Sequence, residues 1–370
     1  MAEPLKNFFD ERLIASIAAD IGRVYPALDP QRFVADGMDG LEALALLARG
    51  EHLARVLQRH LPQDYERAVD VLLASLPAEP APSDGMPAMA PFRYLPHVCF
   101  VARFGLEHFE ASMRAQYELT QRFSAESSIR PFLMRHPEAT YARLVLWASD
   151  PNVHVRRLVS EGTRPRLPWA PRLRDFQQDP TPVLALLERL KDDPERYVQR
   201  SVANNLNDIA KDHPDRVVEV CGRWRESASE ARRWIVRHAL RSLVKLAHPG
   251  ALALVGAGRR PKVSVHRVQV APARPRLGKP AAVSFELAST ARVAQDLLVD
   301  YAVHFVKANG SRRPKVFKLR RLRLPASGRV ELQARLSFVD LTTRKHYRGV
   351  HAIDLLVNGV RFALCEFEVA

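Results

Sequence analysis

The sequence predicts an α-solenoid followed by an all-β sandwich. Three observations carry this: a short motif that recurs along residues 121–240, a switch of apolar period from helical to two near residue 259, and a jump in positive charge at the same place. At 370 residues the chain exceeds one typical core. Two domains are expected, at residues 1–258 and 259–370.

The first part reads as helices. Leu13, Ile14, Ile17, Ala18 and Ile21 recur at helical spacing, as do Leu41, Leu44, Leu47 and Ala48, then Val69, Leu72, Leu73 and Leu76. Asp29-Pro30 and Pro62-Gln63-Asp64 look like helix starts, because proline suits a first turn where its missing N–H costs nothing. Prolines 77, 80, 82, 87, 91 and 96, with Ser83-Asp84-Gly85 among them, mark an irregular connector over residues 77–96.

Beyond the connector a repeat is visible. Gln121-Arg122-Phe123-Ser124-Ala125-Glu126 aligns with Arg156-Arg157-Leu158-Val159-Ser160-Glu161, and each is followed by an Arg-Pro pair, Arg130-Pro131 and Arg164-Pro165. Gln199-Arg200-Ser201-Val202-Ala203-Asn204 and Val236-Arg237-His238-Ala239-Leu240 take the same register, which makes Arg122, Arg157, Arg200 and Arg237 equivalent. Asp150-Pro151 and Asp193-Pro194 are expected to start two of these helices, with Asp at the N-cap and Pro at the first helical position. Helical pairs repeating every ~35–45 residues are the mark of a HEAT-like solenoid, in which no unit buries its apolar face alone and neighbours must stack.

After Gly256-Ala257-Gly258, read as a hinge, apolar residues alternate: Ala281, Val283, Phe285 and Leu287; Val299, Tyr301, Val303 and Phe305; Val330, Leu332, Ala334 and Leu336. Asn358-Gly359 between two apolar runs is a type I′ hairpin signal. About seven short strands fit an immunoglobulin-like sandwich, with an OB-type barrel as the alternative.

Charge separates the parts. Residues 1–90 carry a net −6, residues 91–258 a net +7 and residues 259–370 a net +14. A basic middle and a strongly basic end point to a polyanion, and nucleic acid is favoured. Lys307-Ala308-Asn309-Gly310-Ser311-Arg312-Arg313, Arg320-Arg321-Leu322-Arg323 and Arg344-Lys345 are read as basic loops, with Lys307, Asn309, Arg312 and Arg313 the expected DNA contacts.

Several classes are disfavoured. No apolar run approaches the ~20 residues of a membrane span, and the N-terminus lacks a secretory pattern, so a cytoplasmic protein is expected. Three scattered cysteines speak against a disulfide scaffold or a cysteine-rich zinc site. His346 with His351 is not expected to bind metal; no metal or cofactor is expected, and a monomer is assumed. P-loop, GxSxG, HExxH and strand-linked GxGxxG motifs are missing.

One cluster suggests chemistry. The register puts Glu126 and Glu161 at one repeat position and Asn204 at that same position in the next unit, with Asp208 a helical turn further along the same face. Arg157, Arg164, Arg166, Arg200 and Arg237 surround them and are expected to meet DNA. Ion pairing across a solvated face would explain the same mixture of charges. The loop Arg164-Pro165-Arg166-Leu167-Pro168-Trp169-Ala170-Pro171 is stiffened by three prolines, and Trp169 either caps the core or offers a fixed aromatic face to a cationic ring. Trp147, Trp224 and Trp234 read as packing residues.

The stretch from Trp147 to Trp169, the opening Pro4-Leu5-Lys6-Asn7-Phe8-Phe9 and the run from Arg122 to Pro131 resemble the AlkC family of HEAT-like-repeat DNA glycosylases. The likeness spans residues 4–255, and a C-terminal Ig-like module, carried by a subset of that family, would account for residues 262–370. The resemblance implies base excision repair: removal of cationic alkylated bases, N3-methyladenine and N3-methylcytosine, from double-stranded DNA held bent on the concave face, without flipping the base into a pocket. It places Glu126, Glu161, Trp169 and Asp208 at the active site.

Those residue types suit the reaction. A base alkylated at a ring nitrogen leaves as a neutral molecule, so the barrier lies in the oxocarbenium character of the deoxyribose. A carboxylate aimed at that sugar stabilises the charge and orients water. Glu161 is expected to be the main group, assisted by Glu126 and Asp208. The competing reading is a non-catalytic HEAT-type scaffold for nucleic acid or an acidic protein. Carboxylates among the arginines argue against it, because they would repel a phosphate ligand.

Overall fold

Capping chemistry fixes where the N-terminal helices begin. The computed structural model describes residues 4–77, 89–341 and 344–370. Helices α1 (Glu11–Gly22), α2 (Pro30–Met38), α3 (Leu46–His60) and α4 (Tyr65–Ser75) form the first block. Asp29 accepts hydrogen bonds from the Gln31 and Arg32 amides with Pro30 at the first helical position, and Asp64 caps α4 through the Arg67 amide. The apolar spacing of Leu41, Leu44, Leu47 and Ala48 does not make one helix: a 3-10 turn over Leu41–Ala43 ends at extended Leu44, and α3 starts afresh.

Part of the proline-rich connector, with Pro80, Pro82, Pro87 and Ser83-Asp84-Gly85, lies outside the described residues. Its end is regular. A 3-10 turn at Ala90–Tyr94 runs into α5 (Leu95–Phe104), with Pro96 in the first turn where no amide is needed.

The repeats follow as α6 (Phe109–Thr120), α7 (Ile129–Arg135), α8 (Pro137–Trp147), α9 (Val153–Gly162), α10 (Arg174–Gln178), α11 (Thr181–Leu190) and α12 (Arg196–Ile209). They continue in α13 (Pro214–Arg225), α14 (Glu230–Ala239), α15 (Arg241–Lys245) and α16 (Pro249–Leu254). Helices α6, α9, α12 and α14 pack in succession, and α8 and α11 also pack against α9.

The Asp-Pro starts fall two residues early. The N-caps are Asn152 and Glu195, while Asp150 and Asp193 instead accept the amides of Asn152 and Glu195 in Asx turns. This frees Asp193 to bind Arg156 of the preceding repeat at 2.6 Å, and the same guanidinium holds the Asp150 and Pro151 carbonyls. The motif therefore ties one repeat to the next. The repeat register also loosens at its first copy. Helix α6 stops at Thr120, so Arg122 and Glu126 lie on the α6–α7 turn rather than inside a helix equivalent to α9.

Strands β1 (Val263–Ala271), β2 (Pro280–Ser289), β3 (Gln295–Val306), β4 (Arg312–Leu324), β5 (Arg329–Ser337), β6 (Gly349–Val357) and β7 (Val360–Val369) make two antiparallel sheets. Their orders are β1-β2-β5 and β4-β3-β6-β7, an Ig-like sandwich. Val283, Phe285 and Leu287 of β2 are buried with Val299 and Val303 of β3 and Leu332 and Ala334 of β5, as period-two alternation requires. Asn358 and Gly359 both have positive φ, as a type I′ turn demands.

Arg320–Arg323 is not a loop. It belongs to β4, the edge of the four-stranded sheet, where basic side chains discourage pairing with another chain.

By internal contacts the chain divides into Met1–Asp212 with Ser227–Ala239, and His213–Glu226 with Leu240–Ala370. Helices α13, α15 and α16 thus group with the strands. Gly256-Ala257-Gly258 is accordingly fastened rather than free to hinge: Arg321 donates to the Val255 carbonyl at 2.5 Å and Asn358 to the Arg259 carbonyl at 3.0 Å. Gly359 lies so close to α15–α16 that a Cβ there would meet the Ala247 methyl at 2.7 Å.

One buried base makes the helical unit acid-sensitive. His97 of α5 is buried, its Nδ1 has no hydrogen-bond partner, and burial, with Arg93 nearby, pushes its pKa down to about 4. The unfolded chain takes up this proton near pH ~6.5, so the contribution is full above that value and lost as pH falls towards the folded value. Between about pH 7 and about pH 4.5, urea unfolding should show a stability loss that shrinks by about 2 kcal/mol in His97→Phe. Equal losses in both proteins would mean that His97 is not buried neutral.

Candidate active site

Glu126, Glu161 and Asp208 come from three separate elements yet join one continuous chain of ion pairs. Glu126 sits on the α6–α7 turn, Glu161 in the last turn of α9, and Asp208 near the end of α12. Arg157, one turn before Glu161, reaches Glu126 Oε2 at 2.5 Å and Glu161 Oε1 at 3.5 Å. Arg164, just past the helix end, reaches Glu161 Oε1 at 2.6 Å and Asp208 Oδ2 at 2.8 Å. Lys211 closes the far end on Asp208 Oδ1 at 2.8 Å. The order is Glu126–Arg157–Glu161–Arg164–Asp208–Lys211.

The members differ in what remains open. Glu161 is only 6% exposed, and Ser201 donates to its second oxygen at 2.5 Å. Asp208 is buried with both oxygens engaged. The Glu126 side chain keeps 27% of its surface; Ser124 Oγ and Arg157 share its Oε2, and no hydrogen bond from the described residues reaches Oε1. Burial opposes the charge on Arg157 and on Arg164, and the carboxylates outweigh it, so both guanidiniums titrate above the ordinary arginine value. The arginines are thereby committed to carboxylates.

The loop after α9 places the aromatic residue. Trp169 is 70% exposed, so it does not cap the core, and its backbone lies in the left-handed region at φ 64°. A bulky residue held there costs about 1–3 kcal/mol, which the surrounding loop must impose. Arg130, fully buried in α7, supplies the anchor: Nη1 donates to the Gly162 and Arg164 carbonyls at 2.9 and 2.8 Å, and Nε to the Pro171 carbonyl at 2.9 Å. Burial, helped by the neighbouring Arg164 cation, pushes its pKa down to about 10. Arg166 is held by Asp212 at 2.9 and 2.5 Å.

Other expected residues take other places. Arg200 on α12 and Arg237 on α14 are exposed. Lys307 and Asn309 form the β3–β4 turn, where Asn309 Oδ1 accepts from the Ser311 amide and hydroxyl; Arg312 and Arg313 open β4, and Arg312 pairs with Glu366. These four belong to the second unit, where they border an open basic concavity with Arg344, Lys345 and Tyr347. His346 and His351 pack edge-on against Phe305 and Phe338.

Reading the sequence missed the supporting groups: Ser124, Arg130, Ser201, Lys211, and Tyr197, whose ring lies 5.1 Å beneath the Arg157 guanidinium. Ser124, Arg130 and Ser201 fell within the repeat motif or its Arg-Pro pair, but nothing in the spacing marked them as partners. Trp147 and Trp224 are buried as expected, whereas Trp234 is half-buried between the Arg196 guanidinium and the His238 ring.

Residues 122–243 match the model of the DNA alkylation repair enzyme family, and residues 264–370 match that of the C-terminal Ig-like domain of uncharacterised protein YhaZ. The chain is 35% identical to the uncharacterized protein YhaZ of Bacillus subtilis strain 168 over 369 residues, 99% of each chain. It is also similar, throughout both chains, to the solved Pseudomonas fluorescens alkylpurine DNA glycosylase AlkC bound to DNA containing an abasic site analog, with 40% identity and a TM-score of 0.93. The chain belongs to the AlkC family. An AlkC-family assignment agrees with the two-part architecture, helical repeats and then an Ig-like sandwich. No helix among the described residues is long and apolar enough to cross a membrane.

The ion-pair chain makes a stability prediction. Glu161→Gln removes a buried anion that lies between buried Arg164 and partly buried Arg157, and should cost about 3 kcal/mol in urea unfolding. Glu126→Gln, at the solvent end, should cost less than about 1 kcal/mol. Equal losses would contradict the difference in burial.

Proposed function

We propose that this chain is a DNA glycosylase that hydrolyses the N-glycosidic bond of cationic alkylated bases, N3-methyladenine and N3-methylcytosine, in double-stranded DNA. The observation that carries the reading is the Glu126–Arg157–Glu161–Arg164–Asp208–Lys211 chain, in which the Glu126 end is a carboxylate with an open oxygen. A phosphate-binding scaffold would turn the guanidiniums outward. Here Arg157 and Arg164 are spent on carboxylates, and the negative end faces solvent.

That polarity suits an oxocarbenium-like transition state. The cationic base departs with the C–N electron pair and becomes neutral, so no general acid is needed. Positive charge grows on the deoxyribose, where an ordered carboxylate is already in place and needs no reorganisation. Glu126 Oε1 orients the water whose oxygen bonds to C1′, and it takes up the released proton on the way to solvent. Glu161 and Asp208, saturated by their partners, hold the arginines and sustain the local negative potential. The geometry thus favours Glu126 over Glu161 as the water-orienting group.

Trp169 presents its ring to the sugar or to the cationic base, a contact worth about 1–2 kcal/mol when desolvated. Its exposed, fixed position supports approach from outside the duplex without base flipping. Exposed Arg200 and Arg237 neutralise phosphates along α12 and α14, and Lys307, Arg312 and Arg313 do so on the Ig-like module, where Asn309 donates a neutral hydrogen bond. The protein acts as a monomer on DNA in the bacterial cytoplasm.

The test is base release from methylated DNA, read by mass spectrometry. Wild type should free N3-methyladenine or N3-methylcytosine, and Glu126→Gln should be slower by about 10²-fold or more with DNA affinity nearly intact. Tight DNA binding with no base released would favour the scaffold. Replacing Lys307 and Arg313 together by alanine should lower the slope of log K against log salt by about 1–2, since each lost phosphate contact removes about 0.9. An unchanged slope would remove the Ig-like turn from the interface.

A further inference from the structure

We infer that Arg130 is a positioning residue for the reaction, aiming Trp169 and Glu161 by clamping both ends of the 162–171 segment to one guanidinium. The inference rests on the glycosylase reading above and extends it to a residue that need not touch DNA.

The starting observation is an unusual buried cation. The Arg130 side chain is 0% exposed, and its hydrogen-bond acceptors are the neutral carbonyls of Gly162, Arg164 and Pro171. Buried charges are ordinarily matched by a contacting anion, because desolvation is otherwise uncompensated. The Glu126 and Asp208 carboxylates act on Arg130 through space without bonding it, and the contacts that fix the orientation of its fork are the carbonyls.

The three acceptors explain that requirement. Gly162 O and Arg164 O lie where α9 runs out of partners for its last carbonyls, a position that favours a cation. Pro171 O is at the other end of the loop. Between them stand Arg164, which holds Glu161 and Asp208, and Trp169 with its left-handed backbone. The α7 end also sits hard against α9: a Cβ on Gly162 would lie 2.5 Å from the Ile129 side chain. Glycine at 162 lets the preceding turn of α7 approach closely enough for the adjacent Arg130 to reach the loop.

Charge alone does not reproduce this. A lysine places one ammonium where the guanidinium places a planar fork on carbonyls from both ends of the loop. The loop has a second tie that Arg130 does not make, the Leu173 amide to the Pro165 carbonyl at 3.3 Å. Arg130→Lys should therefore leave the loop attached but its tip misaimed.

The experiment measures single-turnover base release, DNA affinity and thermal unfolding for Arg130→Lys, Trp169→Phe and the double variant. Arg130→Lys should still unfold cooperatively and bind DNA almost as wild type does, while base release falls by about 10²-fold, the scale expected for a displacement near 1 Å. In the Trp169→Phe background the same substitution should cost at least about fivefold less than in the wild type, because the part that acts through Trp169 is already lost and only the part that acts through Glu161 remains. Additive losses, or turnover of Arg130→Lys near wild type, would overturn the inference. If Arg130→Lys fails to fold, Arg130→Gln replaces it in the same cycle.

Should wild type release no base, the glycosylase reading fails by itself. The clamp is then judged by acrylamide quenching of the Trp169 fluorescence, taken as the difference between each protein and its Trp169→Phe counterpart. Altered quenching in Arg130→Lys supports the clamp, and identical quenching overturns it.

Discussion

The pairing of Arg157 and Arg164 with carboxylates from three repeats is the interaction on which this site depends. Each guanidinium bridges two anions, so neither arginine can move without uncovering a buried charge. The bridges lock α9 to the α6–α7 turn on one side and to α12 on the other. A solenoid is otherwise held mainly by apolar contact between neighbouring units. Here polar cross-links between successive repeats are added at the face where chemistry is proposed. The Arg156–Asp193 pair does the same behind that face.

Charge placement follows from this constraint. Arg157 and Arg164 are engaged by carboxylates, so under the proposed function the phosphates would be met mainly by other cations, such as exposed Arg200 and Arg237 and the basic Ig-like module. The division suits a protein whose ligand is negative along its backbone but develops positive charge at one sugar. It also accounts for a strongly basic chain that keeps carboxylates at its centre.

Backbone strain belongs to the same design. Trp169 would not hold a left-handed conformation by its own preference. Around it the loop is constrained by prolines on both sides, by the Pro165 carbonyl bonded to Leu173 and by the buried Arg130 fork on the Arg164 and Pro171 carbonyls. The side chain carried on that constrained backbone is 70% exposed, which is what the proposed contact with DNA uses.

The sequence by itself determined the two-part architecture, because apolar period and turn chemistry are local: the α1 and α4 faces, the Asp29-Pro30 start, the alternation of β2, β3 and β5, and the Asn358-Gly359 hairpin were all legible, as was the start of α4, although Pro62 precedes that helix instead of filling its first turn. Local signals also misled where a neighbour intervened. Asp193 was a plausible cap until Arg156 claimed it, and Arg320–Arg323 read as a loop because an edge strand needs little burial. The repeat register brought Glu126, Glu161 and Asp208 into view, with Trp169 singled out from its proline-rich loop, although Glu126 proved to lie on a turn. Only the tertiary structure decided which carboxylate keeps an open oxygen, that Arg157 and Arg164 are taken, and that Arg130 holds the loop. Those facts depend on distances between groups 30–45 residues apart, set by how helices stack, and spacing along one chain does not encode them.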